Sequence, residues 1–286
     1  MDSGRIAAYR ARTFRTQPSR RVKTRAAAIK FVRERGFVHF WPIKKVLLPS
    51  LWVAVAGDRP VANEHGDAGH ITWGWKDELL GERKWYYAKV LRKKATMIAL
   101  EVAPYFYAMS ENYGDPESDY LQLYEDGLLS QPAKLIFEAL LEEGRLDTVN
   151  LRRKIHMKSN SSKAPFERGL VELQRDFKIL PVGVANTGAW NYSFIYEPVH
   201  THYPDLLEQA RRIGRNAARR RLVELYFDSV GAATAGDVKR VFQWGAREVH
   251  ATLDELVQAH RLRAGFRVEK SGADQFVLAS LASQDE

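Results

Sequence analysis

The chain has 286 residues, 45% of them apolar, with 44 Lys and Arg against 35 Asp and Glu and a formal charge of +9. That length carries about two domains or three small ones with a real core, and a basic balance attracts polyanions, of which nucleic acid is the commonest soluble partner. The lack of cysteine excludes disulfides, thiolate metal sites and cysteine nucleophiles.

No apolar run approaches the roughly 20 residues of a membrane helix, and the basic first residues lack the apolar block of a secretory signal. A soluble, cytoplasmic, monomeric protein is expected. The start of the chain is its most one-sided part. Arg5, Arg10, Arg12, Arg15, Arg20, Arg21, Lys23 and Arg25 face the single acid Asp2. Residues 1–21 therefore read as a flexible basic arm, mobile without its partner.

Residues 22–120 read as an N-terminal helical, aromatic, winged-helix-like domain. A helix over "RVKTRAAAIKFVRERG" has Thr24 as its cap and is followed by "GFVHFWPI". If that stretch is extended, Phe37, His39 and Trp41 face one way and Val38 and Phe40 the other. The alternation fits a half-buried strand whose histidine finds a partner, and it also fits a pocket for something flat. "PSLWVAVAG" reads as a further helix and "DRPVANEHGDAGH" as a polar loop. "ITWGWKDELLG", "RKWYYAKVL" and "TMIALEVAPYFYAMSENYG" are rich in aromatics, most of them core and a few able to stack on a base. Asp77, Glu78 and Glu101 are the carboxylates near this segment and read as surface charges.

The remainder reads as one unit twice, residues 121–203 and 204–286. In the first copy Ser130 caps a helix with Leu135, Ile136, Ala139 and Leu140 as its apolar stripe and Gly144 as its stop. A second helix starts from Asp147 or Thr148. The third, "KAPFERGLVELQRDF", is capped by Ser161 or Ser162, and two β-rich runs follow. In the second copy "ARRRLVELYFDSVG" ends at Gly231, Thr234 caps "AGDVKRVFQW", "AREVHATLDELVQAH" is the third helix, and "RLRAGFRVE" and "QFVLASL" form the hairpin. Three short helices and a two-stranded hairpin describe a winged helix. The fold class is thus mainly α with small β-wings, an α+β fold of tandem winged-helix domains.

The third helices suggest where nucleic acid binds. Phe166, Leu170, Leu173 and Phe177 form an apolar stripe, with Arg168 and Arg175 nearly opposite and Lys163 in the first turn. The second copy shows Arg247 beside Asp254 and Glu255, carboxylates that repel phosphate. The basic run "ARRIGRNAARRR" adds Arg211, Arg212, Arg215 and Arg219. Double-stranded DNA is the expected partner, a protein-docking module being the alternative.

In the order of its parts the chain resembles the YcaQ/AlkZ-like winged-helix proteins, which include DNA glycosylases that remove bulky alkylated bases. The resemblance rests on "RERGFVHFWPIKKVLLPSLWVAVAG", on "RKWYYAKVLRKKATMIALEVAPYFYAM" and on the two winged helices. It implies duplex DNA as partner, recognition of damaged DNA, and base excision as the alternative activity. It also implies a further β-rich domain after the second wing. The family's Gln-Φ-Gln or Gln-Φ-Asp motif falls on His39, Phe40 and Trp41, so the resemblance places the catalytic positions at His39 and Trp41. Trp41 has one N–H donor and no acceptor, and supplies neither carboxylate nor amide there. "NEHGDAGH" and "HTHYPD" have metal-ligand residue types without a recognised spacing, and no phosphate-loop, zinc-protease or hydrolase motif occurs. No metal and no small-molecule cofactor is expected.

Overall fold

A computed structural model describes residues 3–62, 64, 66–112, 114–188, 191–266 and 274–282. Among them the fold is mostly helical with three small antiparallel sheets. One plan occurs three times: helix, strand, helix, helix, then a hairpin that pairs back with the first strand.

The first unit comprises α2 (Arg25–Arg35), β1 (Phe37–His39), α3 (Leu51–Ala56), α4 (Ile71–Leu79), β2 (Tyr86–Ala88) and β3 (Thr96–Ile98), preceded by α1 (Ser3–Thr13). Its sheet has the order β1-β3-β2, with His39 opposite Thr96. The helices α5 (Ala103–Tyr107) and α6 (Asp119–Glu125) lead on. The second unit is α7 (Gln131–Glu143), β4 (Leu146–Asp147), α8 (Thr148–Lys154), α9 (Lys163–Arg175), β5 (Ile179–Ala185) and β6 (Ser193–Pro198). After α10 (Val199–His202) and α11 (Leu206–Arg211) the third unit follows. It is α12 (Arg215–Val230), β7 (Ala232–Ala233), α13 (Ala235–Phe242), α14 (Ala246–Gln258), β8 (Leu262–Phe266) and β9 (Gln275–Leu278), closed by α15 (Ala279–Ala282). The sheet orders β4-β6-β5 and β7-β9-β8 repeat that of the first. This is the connectivity of a winged helix, and the α+β tandem arrangement read from the sequence holds.

Local chemistry sets the element ends. Thr24, Ser50, Ser130 and Asp147 each accept a hydrogen bond from the first turn of the helix they precede. Thr234 and Asp237 form a reciprocal capping box. Ser162 precedes α9 without a side-chain cap bond; Ser159 accepts from the Ser162 N–H instead. Gly36 ends α2 at φ 78°, and a Cβ there would lie 3.0 Å from Leu225 of α12, so a glycine lets α2 and α12 approach.

One core runs through all three units. Phe37, Tyr86, Ile98 and Phe106 share it with Phe177, Leu180, Leu222, Tyr226, Phe242 and Leu253. Phe37 and Val38 point into different clusters, so β1 lies between two apolar layers. Leu135, read as part of the α7 stripe, is 36% exposed; Phe137 takes the buried place.

The basic arm is corrected by the structure. Residues 3–13 form α1, which lies along α12. Ile6 is buried, the Arg10 guanidinium donates to the carbonyls of Val230 and Ala232 at 3.0 and 2.7 Å, and Thr13 donates to Ser229 O at 2.7 Å. The sequence shows the arginines of this segment but not that Ile6, Tyr9, Arg10 and Thr13 share one helical face.

Candidate nucleic-acid interface

A cleft of about 1240 Å³ surrounds α9. Lys163 and Arg168 line it from the exposed side of the helix, Lys93 from the turn before β3, and Tyr192 from the hairpin of the second unit. The apolar stripe of α9 faces inward, Phe166, Leu170, Leu173 and Phe177 all being buried, which leaves the cations outside. Among the described residues Lys93, Lys163 and Arg168 have no carboxylate partner. Arg175 also lines the cleft but is paired with Asp176 at 2.5 Å. Two carboxylates line it as well, and Glu172 of these is held by the Ser130 N–H and hydroxyl at 2.8 and 2.6 Å. Lys163 and Arg168 thus line one cleft, and Arg175, expected on the same face, lines it while paired with its acidic neighbour.

The second basic run behaves differently. Arg212 pairs with Glu208 at 3.1 Å, Arg215 with Glu111 at 2.9 Å, and Arg219 with Glu248. Arg211 lies 3.8 Å from Glu208 and donates to Gly114 O. These arginines do not join the cleft around α9.

His39 and Trp41 do not share a pocket. The strand ends at His39; Phe40 then donates its N–H to Ala95 O and accepts from Trp52 N–H, bending the chain. His39 is 1% exposed, and neither ring nitrogen has a protein partner. Burial holds its pKa down to about 4, with Arg92 adding to the effect; the backbone of Ala95 opposes it from outside hydrogen-bonding geometry. A neutral, enclosed imidazole cannot work on a ligand at the surface. Trp41 instead is 37% exposed and meets Trp73, 40% exposed, edge to face at 5.1 Å. The two indoles form a small aromatic platform.

Beneath it lies a group the sequence reading missed. Lys76 is buried, with its ammonium 4.5 Å from the Phe194 ring centroid and between 5.5 and 5.9 Å from those of Tyr192, Trp73, Tyr87 and Phe40. Burial lowers its pKa, and Asp77 opposes that shift. The only local sequence signal is Trp73 and Asp77 at i and i+4 on one face of α4. Nothing near them announces Tyr192 and Phe194.

The loops with metal-type residues are otherwise engaged. Asp67 pairs with Arg59 at 2.6 Å, His70 Nε2 meets Ala62 O at 3.0 Å, and His202 Nδ1 meets Glu197 at 2.8 Å. His65 lies outside the described residues. No helix among the described residues is long and apolar enough to cross a membrane.

Among solved structures the chain is similar to the Streptomyces sahachiroi DNA glycosylase AlkZ, with a TM-score of 0.61 at 12% identity over 99% of this chain and 71% of that one. At that identity the likeness speaks for the fold alone. No curated protein sequence matches the chain. The AlkZ-related family model matches residues 22–243, from just before the cap of α2 to the turn after α13, and the chain belongs to that family.

Proposed function

We propose that the protein binds duplex DNA in the cleft around α9 and recognises damaged bases at the Trp41–Trp73 platform. The observation that carries this reading is a cleft flanked by the unpaired cations Lys93, Lys163 and Arg168 that reaches Tyr192, whose ring flanks the Lys76 ammonium together with that of Trp73. Cations without internal partners neutralise phosphates and release counterions. An exposed indole offers a sequence-tolerant stack of roughly 1–3 kcal/mol per base, enough to offset part of the few kcal/mol that extruding a base costs. A damaged or unpaired base costs less to extrude, which favours lesions.

Membership of the AlkZ-related family and the fold shared with a DNA glycosylase support DNA as the partner. The docking reading has one observation in its favour: Leu121, Tyr124, Leu128 and Leu135 on or beside α6 and α7 are exposed. Leu128, however, lines the basic cleft itself, which it shares with six lysines and arginines.

An anisotropy titration of a labelled 20-base-pair duplex at several salt concentrations tests the reading. Affinity falls linearly in log–log form with salt, and Lys163→Glu with Arg168→Glu weakens it about 100-fold, as reversal at two phosphate contacts implies. Unchanged affinity in that double variant would remove the cleft from the DNA interface.

A further inference from the structure

Three carboxylates lie near the aromatic segment in sequence, and the fold treats them differently. Glu78 pairs with Arg25 and Glu101 with Arg33, both on open surface. Asp77 is built into a network instead. Its Oδ1 accepts from the Tyr192 hydroxyl at 2.9 Å and pairs with the Lys76 ammonium at 2.6 Å. Lys76 in turn donates to the Tyr192 oxygen at 2.8 Å, closing a triangle. The Lys76 side chain is 1% exposed and that of Asp77 26%.

Both contacts fall on Oδ1. Oδ2 has no partner among the described residues. One oxygen is therefore fixed by the fold while the other is open at the rim of the aromatic platform. An ordinary helix-surface aspartate keeps rotamer freedom; this one is held by a buried ammonium that needs a counter-charge and by a tyrosine from another unit. The motif positions His39 and Trp41 supply no carboxylate, and Asp77 is the one that the structure brings beside Trp73.

We propose that Asp77 is the catalytic carboxylate of a base-releasing site, with Oδ2 facing the sugar of a nucleotide stacked on Trp41 and Trp73. The inference rests on the lesion-binding reading and adds chemistry to it. A neutral purine needs a proton on its leaving nitrogen, and no side chain at the platform offers one. The Tyr192 proton is donated to Asp77, Lys76 is enclosed, and His70 turns Nε2 to a backbone carbonyl. A cationic base needs none. Its C1′–N9 bond breaks, the electron pair moves into the positively charged imidazole ring, and the base leaves neutral. The oxocarbenium ion left on the sugar faces the carboxylate, the preorganised charge that stabilises it. A water oxygen then bonds to C1′, its surplus proton passes to Asp77 and on to solvent, and an abasic sugar remains.

Alkaline cleavage of a duplex with one N7-methylguanine measures release, and anisotropy on abasic and intact duplexes measures recognition in the same samples. Asp77→Asn leaves the Lys76 ammonium without its counter-charge, so Lys76→Met with Asp77→Asn is made beside it, an apolar side chain then filling the aromatic cage. Wild type releases the base, and the folded variants release it about 100-fold to 1,000-fold more slowly while keeping their preference for abasic duplex within threefold. Release by the double variant within threefold of wild type, or no release by wild type that still prefers abasic DNA, overturns the assignment of Asp77 alone. Equal wild-type affinity for abasic and intact duplex overturns the platform as well.

Discussion

The basic run from Arg211 to Arg221 and the basic face of α9 look alike in the sequence and differ in the fold. In the first, Arg212, Arg215, Arg219 and Arg221 each meet a carboxylate, and Arg215 adds the Met109 carbonyl. In the second, Lys163 and Arg168, joined by Lys93, meet none among the described residues. Two of these partners are local, Glu208 beside Arg212 and Glu224 beside Arg221, and two come from far away: Glu111 is 104 residues from Arg215, and Glu248 is 29 from Arg219. The density of cations along a chain measures composition. The field that a phosphate meets depends on where the carboxylates fold.

The arm at the start of the chain extends the comparison, and testing it carries the largest expected effect. Arg10 has no carboxylate partner among the described residues, yet it is engaged: it donates to two carbonyls where α12 ends and β7 begins, beside buried Ile6. Removing a buried isoleucine side chain costs about 2–5 kcal/mol, and loss of the guanidinium leaves carbonyls at a helix end without a donor. Ile6→Ala with Arg10→Ala is expected to lower unfolding free energy in urea by about 4 kcal/mol while DNA affinity at 20 °C changes less than threefold. A stable variant with weakened DNA binding would show that the arm acts as a free phosphate-binding tail after all.

What could be read in advance follows the range of the interactions. Caps at Thr24, Ser130, Asp147 and Thr234 are set by residues two or three positions away, and the stripes of α9 and α14 by a 3.6-residue period. The third repeat of the fold plan was half-hidden because β1, β2 and β3 are three residues each, too short for an alternating pattern to stand out. The site was least legible. Lys76 and Tyr192 are 116 residues apart and meet only because β2 of the first unit packs beside β5 and β6 of the second. Spacing placed His39 and Trp41 on one side, but the bend at Phe40 separates them, since Phe40 enters the core and draws the chain out of the strand.

His39 is the opposite of the paired arginines: a titratable side chain with neither charge nor protein partner. Its folded pKa of about 4 lies below the ordinary histidine value of 6.5. Above pH 6.5 neither state holds the proton, and the group adds no pH dependence. Between 6.5 and 4 the unfolded chain takes up a proton that the folded chain refuses, so stability falls as pH falls. Below about 4 the loss is complete, about 3 kcal/mol for a shift of this size. Urea melts of wild type and His39→Leu across this window should diverge by that amount, with the variant less sensitive to acid. At pH 7.5 the variant should be as stable as wild type or more so, because an unpartnered buried imidazole is replaced by an apolar group. Parallel curves would mean that the imidazole is protonated or solvated within the fold.

The smallest effect is expected where the sequence is richest in arginine. An exposed ion pair contributes about 0–1 kcal/mol, and Arg212 and Glu208, at 79% and 58% side-chain exposure, form one such pair. Arg215 and Glu111 are each about half exposed. A phosphate approaching either arginine also meets the carboxylate beside it, so its gain is offset unless the pair opens. Replacing Arg212 and Arg215 with alanine removes two cations and leaves Glu208 and Glu111 behind, which is the harsher form of the test. Duplex affinity should still fall less than threefold in the anisotropy titration, against about 100-fold for Lys163→Glu with Arg168→Glu, and the slope of affinity with salt should keep its wild-type value. A tenfold loss with a shallower slope would show that these pairs open on DNA, and would place the end of α11 and the start of α12 on the interface with α9.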